Sequence, residues 1–180
     1  PAYGTYTATL LVTDAYGLTA STSSAFFIQS APTVSFALTP VVSPNVCELN
    51  VATPFTGTAN DADGGSIAAW SWNFGDTLTS AVQNPSHTYT GTGLFTVSLT
   101  VTDDLGLTAS TQAAIVVTDR PVAALTYSGV LVTPATLTFD GTGSSDAHGG
   151  IAVYSWAVAS STGTACTSSS STFSHVFPAY

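Results

Sequence analysis

The sequence predicts an all-β protein of tandem β-sandwiches, one complete and one split between the two ends of the chain. Three observations predict it. Apolar and hydroxyl residues alternate at period two, as over residues 5–12 and 94–101, which is the pattern of strands with one buried face. Helical spacing is not sustained over a dozen residues anywhere, while β-branched residues and Gly, Pro, Asn and Asp turn clusters fill the chain. Finally, segments recur: residues 17–22 return unchanged as residues 106–111, and such internal repeats mark an array of similar units.

Taken in order, residues 1–30 carry two alternating runs and read as the C-terminal half of a domain, its final hairpin. Residues 31–118 read as one complete domain, with strands expected at about 34–38, 53–58, 67–74, 86–89, 93–102 and 107–117, the spacing of a sandwich. Val12-Thr13-Asp14 maps onto Val101-Thr102-Asp103 in the same register as the long repeat. Residues 119–180 read as the N-terminal half of a further domain. There Phe55, Gly57 and Thr58 return as Phe139, Gly141 and Thr142, Ser71-Trp72 as Ser155-Trp156, and Ser86-His87 as Ser174-His175. The chain closes on Pro178-Ala179-Tyr180 and opens on Pro1-Ala2-Tyr3 in the same repeat position. That overlap implies a period of about 177 residues in which residues 119–180 are completed by residues 1–30 of a neighbouring copy, either within one continuous polypeptide, which the overlap favours, or by strand complementation between separate subunits.

Composition excludes several functions. One Lys+Arg stands against ten Asp+Glu, the net charge is −9, and charged residues make up 6% of the chain, against roughly 25% in ordinary domains. With Arg120 as the only strong cation, phosphates cannot be neutralised, so nucleic acid is excluded, as is basic attachment to an anionic bilayer. No apolar run approaches a membrane-spanning length. The chain begins at Pro1 without a leader, so any secretion signal is expected to have been removed or to lie outside this segment. The 44% apolar content supports a buried core, and 31 Thr with 23 Ser suit a protein exposed outside the cell. There is no G-x-S-x-G, no H-E-x-x-H, no phosphate loop and no Lys, so no catalytic role is expected.

Trp72-Asn73-Phe74-Gly75-Asp76, then Asn84-Pro85-Ser86-His87-Thr88-Tyr89, then the alternating run from Gly93 to Asp103 resemble the polycystic-kidney-disease (PKD) repeat. The resemblance covers about residues 31–118 and extends in halves over the rest. It implies immunoglobulin-like sandwiches used in extracellular stalks, surface layers, adhesins and accessory modules of secreted hydrolases. The second domain departs from the pattern where Ala157-Val158-Ala159-Ser160 replaces Asn73-Phe74-Gly75-Asp76. Trp72 and Phe74 share a face and should fill the space between sheets, as should Trp156 in the other unit; the competing role for Trp70 and Trp72 is a sugar-stacking platform. His87 and His175 are expected to bond backbone in the turn before a strand. With no second ligand at metal spacing, zinc is not expected.

The acidic residues cluster. Asp61 and Asp63 lie in the loop after the second strand, and Asp103 and Asp104 in the last hairpin, two loops that emerge at the same end of such a sandwich. Four carboxylates without a cation repel one another unless a hard ion binds among them, and calcium is the expected one; the resemblance points the same way. The other unit offers Asp14 and Asp146, with Asp119 close by, which would place the ion at interdomain joints, whereas Asp76 should lie at the opposite end. The plainer reading is that these residues make Asx turns. Cys47 and Cys166 leave three arrangements open: two buried thiols, one disulfide across a domain junction, or a bond between subunits. No N-x-S/T acceptor is usable, so any glycan should be O-linked, with acceptors in a polar loop formed by Ser160-Ser161-Thr162-Gly163-Thr164 and residues 167–172. The expected function is that of a structural subunit of an extracellular filament or stalk, a head-to-tail polymer of copies of itself stiffened by calcium. The alternative is a polysaccharide- or protein-binding accessory module of a secreted hydrolase or adhesin.

Overall fold

A computed structural model of the chain describes residues 3–39, 45–132, 134–160 and 163–178. Among them every regular element is a strand and none is a helix, so no helix is long and apolar enough to cross a membrane. The chain divides into two compact units, Pro1–Val117 and Thr118–Tyr180.

The first unit opens with a hairpin of β1 (Gly4–Thr13) and β2 (Thr19–Ile28), paired from Gly4↔Ile28 to Thr13↔Thr19. A sandwich follows, made of β3 (Thr33–Leu38), β4 (Val46–Glu48), β5 (Ala52–Asn60), β6 (Ile67–Asn73), β7 (Thr79–Ser80), β8 (Ser86–Thr88), β9 (Gly93–Asp103) and β10 (Thr108–Thr118). One sheet runs β4-β10-β9-β6-β7 and the other β3-β5-β8. The six strands expected here all form. The sequence reading lacks β4 and β7, which at three and two residues are too short to display alternation. Both form because the outer edges of β10 and β6 offer unpaired backbone groups to whatever chain passes beside them.

The period-two pattern becomes the core directly. Along β9, Val97, Leu99 and Val101 are buried and meet Ile115 and Val117 of β10. Trp72 stands at the centre of an aromatic cluster, with ring centroids 5.3 Å from Phe36, 5.7 Å from Phe55 and 6.1 Å from Phe74. Burying about 200 Å² of ring at about 25 cal/mol per Å² contributes roughly 5 kcal/mol. The indole N–H is not stranded, since Nε1 donates to the Val82 carbonyl at 2.9 Å. Trp70 is half-buried against this core, lying so close over Gly57 that a Cβ there would meet its Cζ3 at 2.6 Å. Gly141 is likewise overlaid by aromatic rings, with Trp156 Cζ2 at 2.8 Å and Cδ1 of Tyr154, the counterpart of Trp70, at 3.3 Å from the Cβ position. That shared need for a missing side chain accounts for the return of the Phe-x-Gly-Thr segment.

The second unit contains β11 (Thr126–Ser128), β12 (Ala135–Asp140), β13 (Trp156–Ser160), β14 (Gly163–Ser168) and β15 (Thr172–Phe177). Its sheets run β11-β12-β15 and β13-β14. Phe139, Trp156 and Phe173 repeat the aromatic cluster in reduced form, with centroids 5.0 to 6.3 Å apart. The polar loop expected at residues 160–172 is instead largely strand. Val158 pairs with Cys166 and Ala157 with Thr167, so enough alternation survives there to zip a hairpin, and Thr172 opens β15. Ser161 and Thr162 lie outside the described residues. Both cysteines are free thiols, Cys47 within the core and Cys166 half-buried. Between the units, the chain passes through Asp119-Arg120-Pro121 outside any strand.

Candidate functional site

The β5–β6 loop and the β9–β10 turn meet at one end of the sandwich. The Asp104 amide donates to the Ser66 carbonyl at 2.9 Å, and the Ser66 amide donates to Asp104 Oδ1 at 3.2 Å. Asp103 Oδ1 accepts the amides of Leu105 and Leu107 at 3.0 and 2.8 Å, which shapes the turn, while its Oδ2 is buried with no partner. Asp61 Oδ1 accepts the Asp63 amide at 3.3 Å, and its Oδ2 is also buried and unpartnered. Asp63 Oδ2 accepts the Ser30 amide at 2.8 Å, tying down the chain as it enters the sandwich. Gly65 belongs to this cluster, because a Cβ there would collide with carboxylate oxygens of Asp61 and Asp104.

These contacts split the carboxyls electrostatically. The hydrogen bond shared with Asp63, followed by desolvation and the nearby charges of Asp63 and Asp103, holds Asp61 above the usual carboxylate range. The Ser30 amide and the bond from Asp61 hold Asp63 below it. A buried carboxylate oxygen without a donor is uncommon, and two of them at one loop end fit a hard divalent cation. Among the described residues, no three His, Cys, Asp or Glu side chains are grouped to hold a metal ion, so a cation here would also draw on backbone and water oxygens.

The remaining two residues of the expected set do other work. Asp14 Oδ1 accepts the amides of Tyr16 and Leu18 at 2.9 and 2.8 Å, the same turn that Asp103 makes. Asp146 Oδ1 accepts the amides of His148 and Gly149 at 2.8 and 2.7 Å. In the second unit Asp119 Oδ1 meets His148 Nδ1 at 2.7 Å, and that bond holds the Asp119 carboxyl below its ordinary value.

A second polar site escaped the sequence reading. His87 does not bond backbone as expected: its Nε2 meets Asp76 Oδ2 at 2.8 Å, with both side chains largely buried. The ring stacks on Phe74 at 4.0 Å and meets Tyr89 edge-on at 4.5 Å, while the Tyr89 hydroxyl donates to the Phe74 carbonyl at 3.0 Å. Burial pushes the Tyr89 phenol well above its usual range. The two motifs Trp72 to Asp76 and Asn84 to Tyr89 are therefore one structure, a loop latched by the side-chain contact between Asp76 and His87. The signal was present: His87 is the only histidine of residues 31–118. With its ring faces occupied and Nε2 engaged, the pair serves the fold. The second unit has Ser160 at the sequence position of Asp76.

On the outer surface of the complete sandwich every aromatic is buried or half-buried. Among its described residues the exposed large apolar ones are aliphatic: Leu78, Val82, Leu94, Leu105 and Val116. Leu94 and Val116 stand directly opposite each other on β9 and β10.

A family model described as PKD domain matches residues 37–118. Collagenase ColA of Bacillus cereus is 31% identical over 96 residues, which are 48% of this chain and 10% of that protein. The chain thus spans about a tenth of the length of that relative. Among solved structures, the PKD1 domain of Vibrio anguillarum Epp is 30% identical, covers 52% of this chain and 100% of its own, and superposes with a TM-score of 0.45. The PKD1 domain of the Vibrio cholerae metalloprotease PrtV is 32% identical over 51% of this chain and 100% of its own, with a TM-score of 0.43.

Proposed function

We propose, since the chain belongs to the PKD-domain family, that it works as a non-catalytic accessory module of a larger extracellular hydrolase and presents its sandwich to a protein substrate. The observation that carries this reading is the identity to a collagenase over nearly half the chain. Protein is favoured over polysaccharide because the aromatic rings of the complete sandwich are all buried or half-buried, which leaves little open ring face for a sugar to stack on. The exposed cross-strand pair Leu94–Val116 is instead suited to apolar contact with a protein surface.

Co-sedimentation of the purified chain with insoluble collagen and, separately, with cellulose tests this. Retention on collagen is expected, and Leu94→Ser with Val116→Ser should reduce it severalfold. Retention on cellulose alone, or retention on collagen that the double variant does not change, overturns the reading. Calcium at Asp61, Asp103 and Asp104 belongs to the same proposal; its support is the pair of buried, unpartnered oxygens and the space that Gly65 leaves open. O-linked sugar on the hydroxyl-rich surface would suit an extracellular module, and an intact mass above that of the sequence is the expected sign of it. A second reading, a repeat within a filament, is favoured by the uncovered hairpin β1–β2.

A further inference from the structure

The hairpin β1–β2 repeats the sequence of β9–β10, yet its apolar face is bare. Leu10, Val12, Phe26 and Ile28 are 60, 52, 49 and 39% exposed, whereas Leu99, Val101, Ile115 and Val117, which hold the same repeat positions, are 0, 0, 0 and 1% exposed. The second unit shows the reverse defect. In the complete sandwich β9 pairs with β6 and β10 pairs with β4. In the second unit residues 151–155, which repeat the sequence position of β6, form no strand. Val130 and Leu131, in the stretch corresponding to β4, are also outside any strand and exposed. A groove of about 330 Å³ lined by Val122, Leu125, Ile151, Tyr154 and Trp156 opens there. A strand without a neighbour has nothing to answer its backbone groups, and both surfaces are of the kind that an added strand would cover. Neither surface carries charge: residues 4–13, 19–28 and 151–156 contain no Asp, Glu, Lys or Arg.

We propose that the β1–β2 hairpin of one copy completes the open sandwich of residues 119–180 in a second copy, with β1 lying antiparallel along residues 151–157. The occupant is identified by the chain's own template. In the complete sandwich Trp70 faces Val101, Ser71 faces Thr100 and Trp72 faces Leu99. Carried through the repeat, these pairs become Tyr154 with Val12, Ser155 with Leu11 and Trp156 with Leu10. Main-chain bonds to the added strand and burial of Leu10, Val12, Phe26 and Ile28 in the groove supply the affinity. Donor and acceptor surfaces differ, so the contact is heterologous and propagates through copies into rings or filaments. The proposal rests on the PKD architecture and not on the accessory role.

The test mixes two singly substituted chains, Leu11→Cys and Ser155→Cys, each also carrying Cys166→Ser, under mild oxidation. A disulfide between positions 11 and 155 of different chains is expected, identified by peptide mass, with none above background when Gln112→Cys replaces Ser155→Cys. No link in the mixture, or a link only within single chains carrying both substitutions, overturns the proposal. Sedimentation of the unsubstituted chain guards against a misfolded variant. Mass should rise above 18.2 kDa with concentration, and Leu10→Asp with Phe26→Asp should abolish the rise while leaving the melting of the complete sandwich unchanged. An 18.2 kDa species at every concentration also overturns it. The collagen retention described above does not depend on either pair of substitutions, so the two readings fail separately.

Discussion

At the scale of single residues, the most consequential group is the Asp76–His87 pair. Its aromatic surroundings keep both partners largely from water, so removing one leaves the other a buried polar group without its hydrogen bond, at a cost of about 2 kcal/mol. Asp76→Ala should therefore lower the melting temperature of the sandwich by roughly 8 to 16 °C, at about 4–8 °C per kcal/mol for a domain of this size. Asp76→Leu combined with His87→Phe, which replaces the pair by apolar volume, should recover most of the loss in the same melting experiment. Asp61 yields a prediction of opposite character. Its carboxyl is held above the usual range, so the fold favours the protonated form; that contribution is fully present below the unfolded value and is lost as pH rises through the raised one. Asp63, held low, contributes in the other direction and loses its contribution as pH falls through its depressed value. Asp61→Asn should accordingly flatten the gain in stability on acidification and, without calcium, leave the sandwich at least as stable at neutral pH. About 1 mM calcium should raise the melting temperature of the natural chain and leave that of Asp61→Asn with Asp103→Asn unchanged. Equal melting of both with and without the ion would reduce these carboxylates to turn formers.

Among the elements, the two long hairpins show what sequence can and cannot convey. Alternation over β9 and β10, and over β1 and β2, was legible because side-chain direction in a strand depends only on position parity. The Asx turns at Asp14 and Asp103 were legible for a similar reason, being local. The short edge strands β4 and β7 were not, because their formation is decided by the neighbours they lean on. The latch between Asp76 and His87 was hidden too: Asp76 lies in the loop after β6 and His87 in the short strand β8, and the packing of Phe74 against the imidazole is a matter of tertiary structure. The acidic end falls between these cases, since the clustering of Asp61, Asp63, Asp103 and Asp104 follows from topology, while the unpartnered oxygens are a matter of side-chain geometry. One element-level requirement is directly testable. In β5, a methyl group at Gly57 would meet Trp70 Cζ3 at 2.6 Å and the Gln83 carbonyl oxygen at 2.9 Å, and neither the backbone nor the packed indole can yield freely. Gly57→Ala should cost about 1–3 kcal/mol, seen as a lower denaturant midpoint with an unchanged slope.

For the molecule as a whole, the contrast between the two units predicts unequal cooperativity. The complete sandwich buries two facing sheets, whereas the second unit leaves Val122, Leu125 and Val153 exposed around its groove. Calorimetry of the dilute chain should show two transitions, with the lower one belonging to residues 118–180 and accompanied by binding of a hydrophobic dye. A single sharp transition with no dye signal at any concentration would show that the second unit is already complete. The junction between the units has a separate consequence, which concerns digestion. Arg120 is the only Lys or Arg of the chain, and the residue after it is Pro121, whose ring nitrogen makes that peptide bond a poor substrate for trypsin-like proteases. The sequence thus offers such proteases no favourable bond to cut, whether the chain is folded or melted. Chymotrypsin-like enzymes, in contrast, are offered the bare Tyr16 at the tip of the first hairpin. In a medium rich in basic-residue-directed proteases this chain would outlast its neighbours by its covalent structure alone.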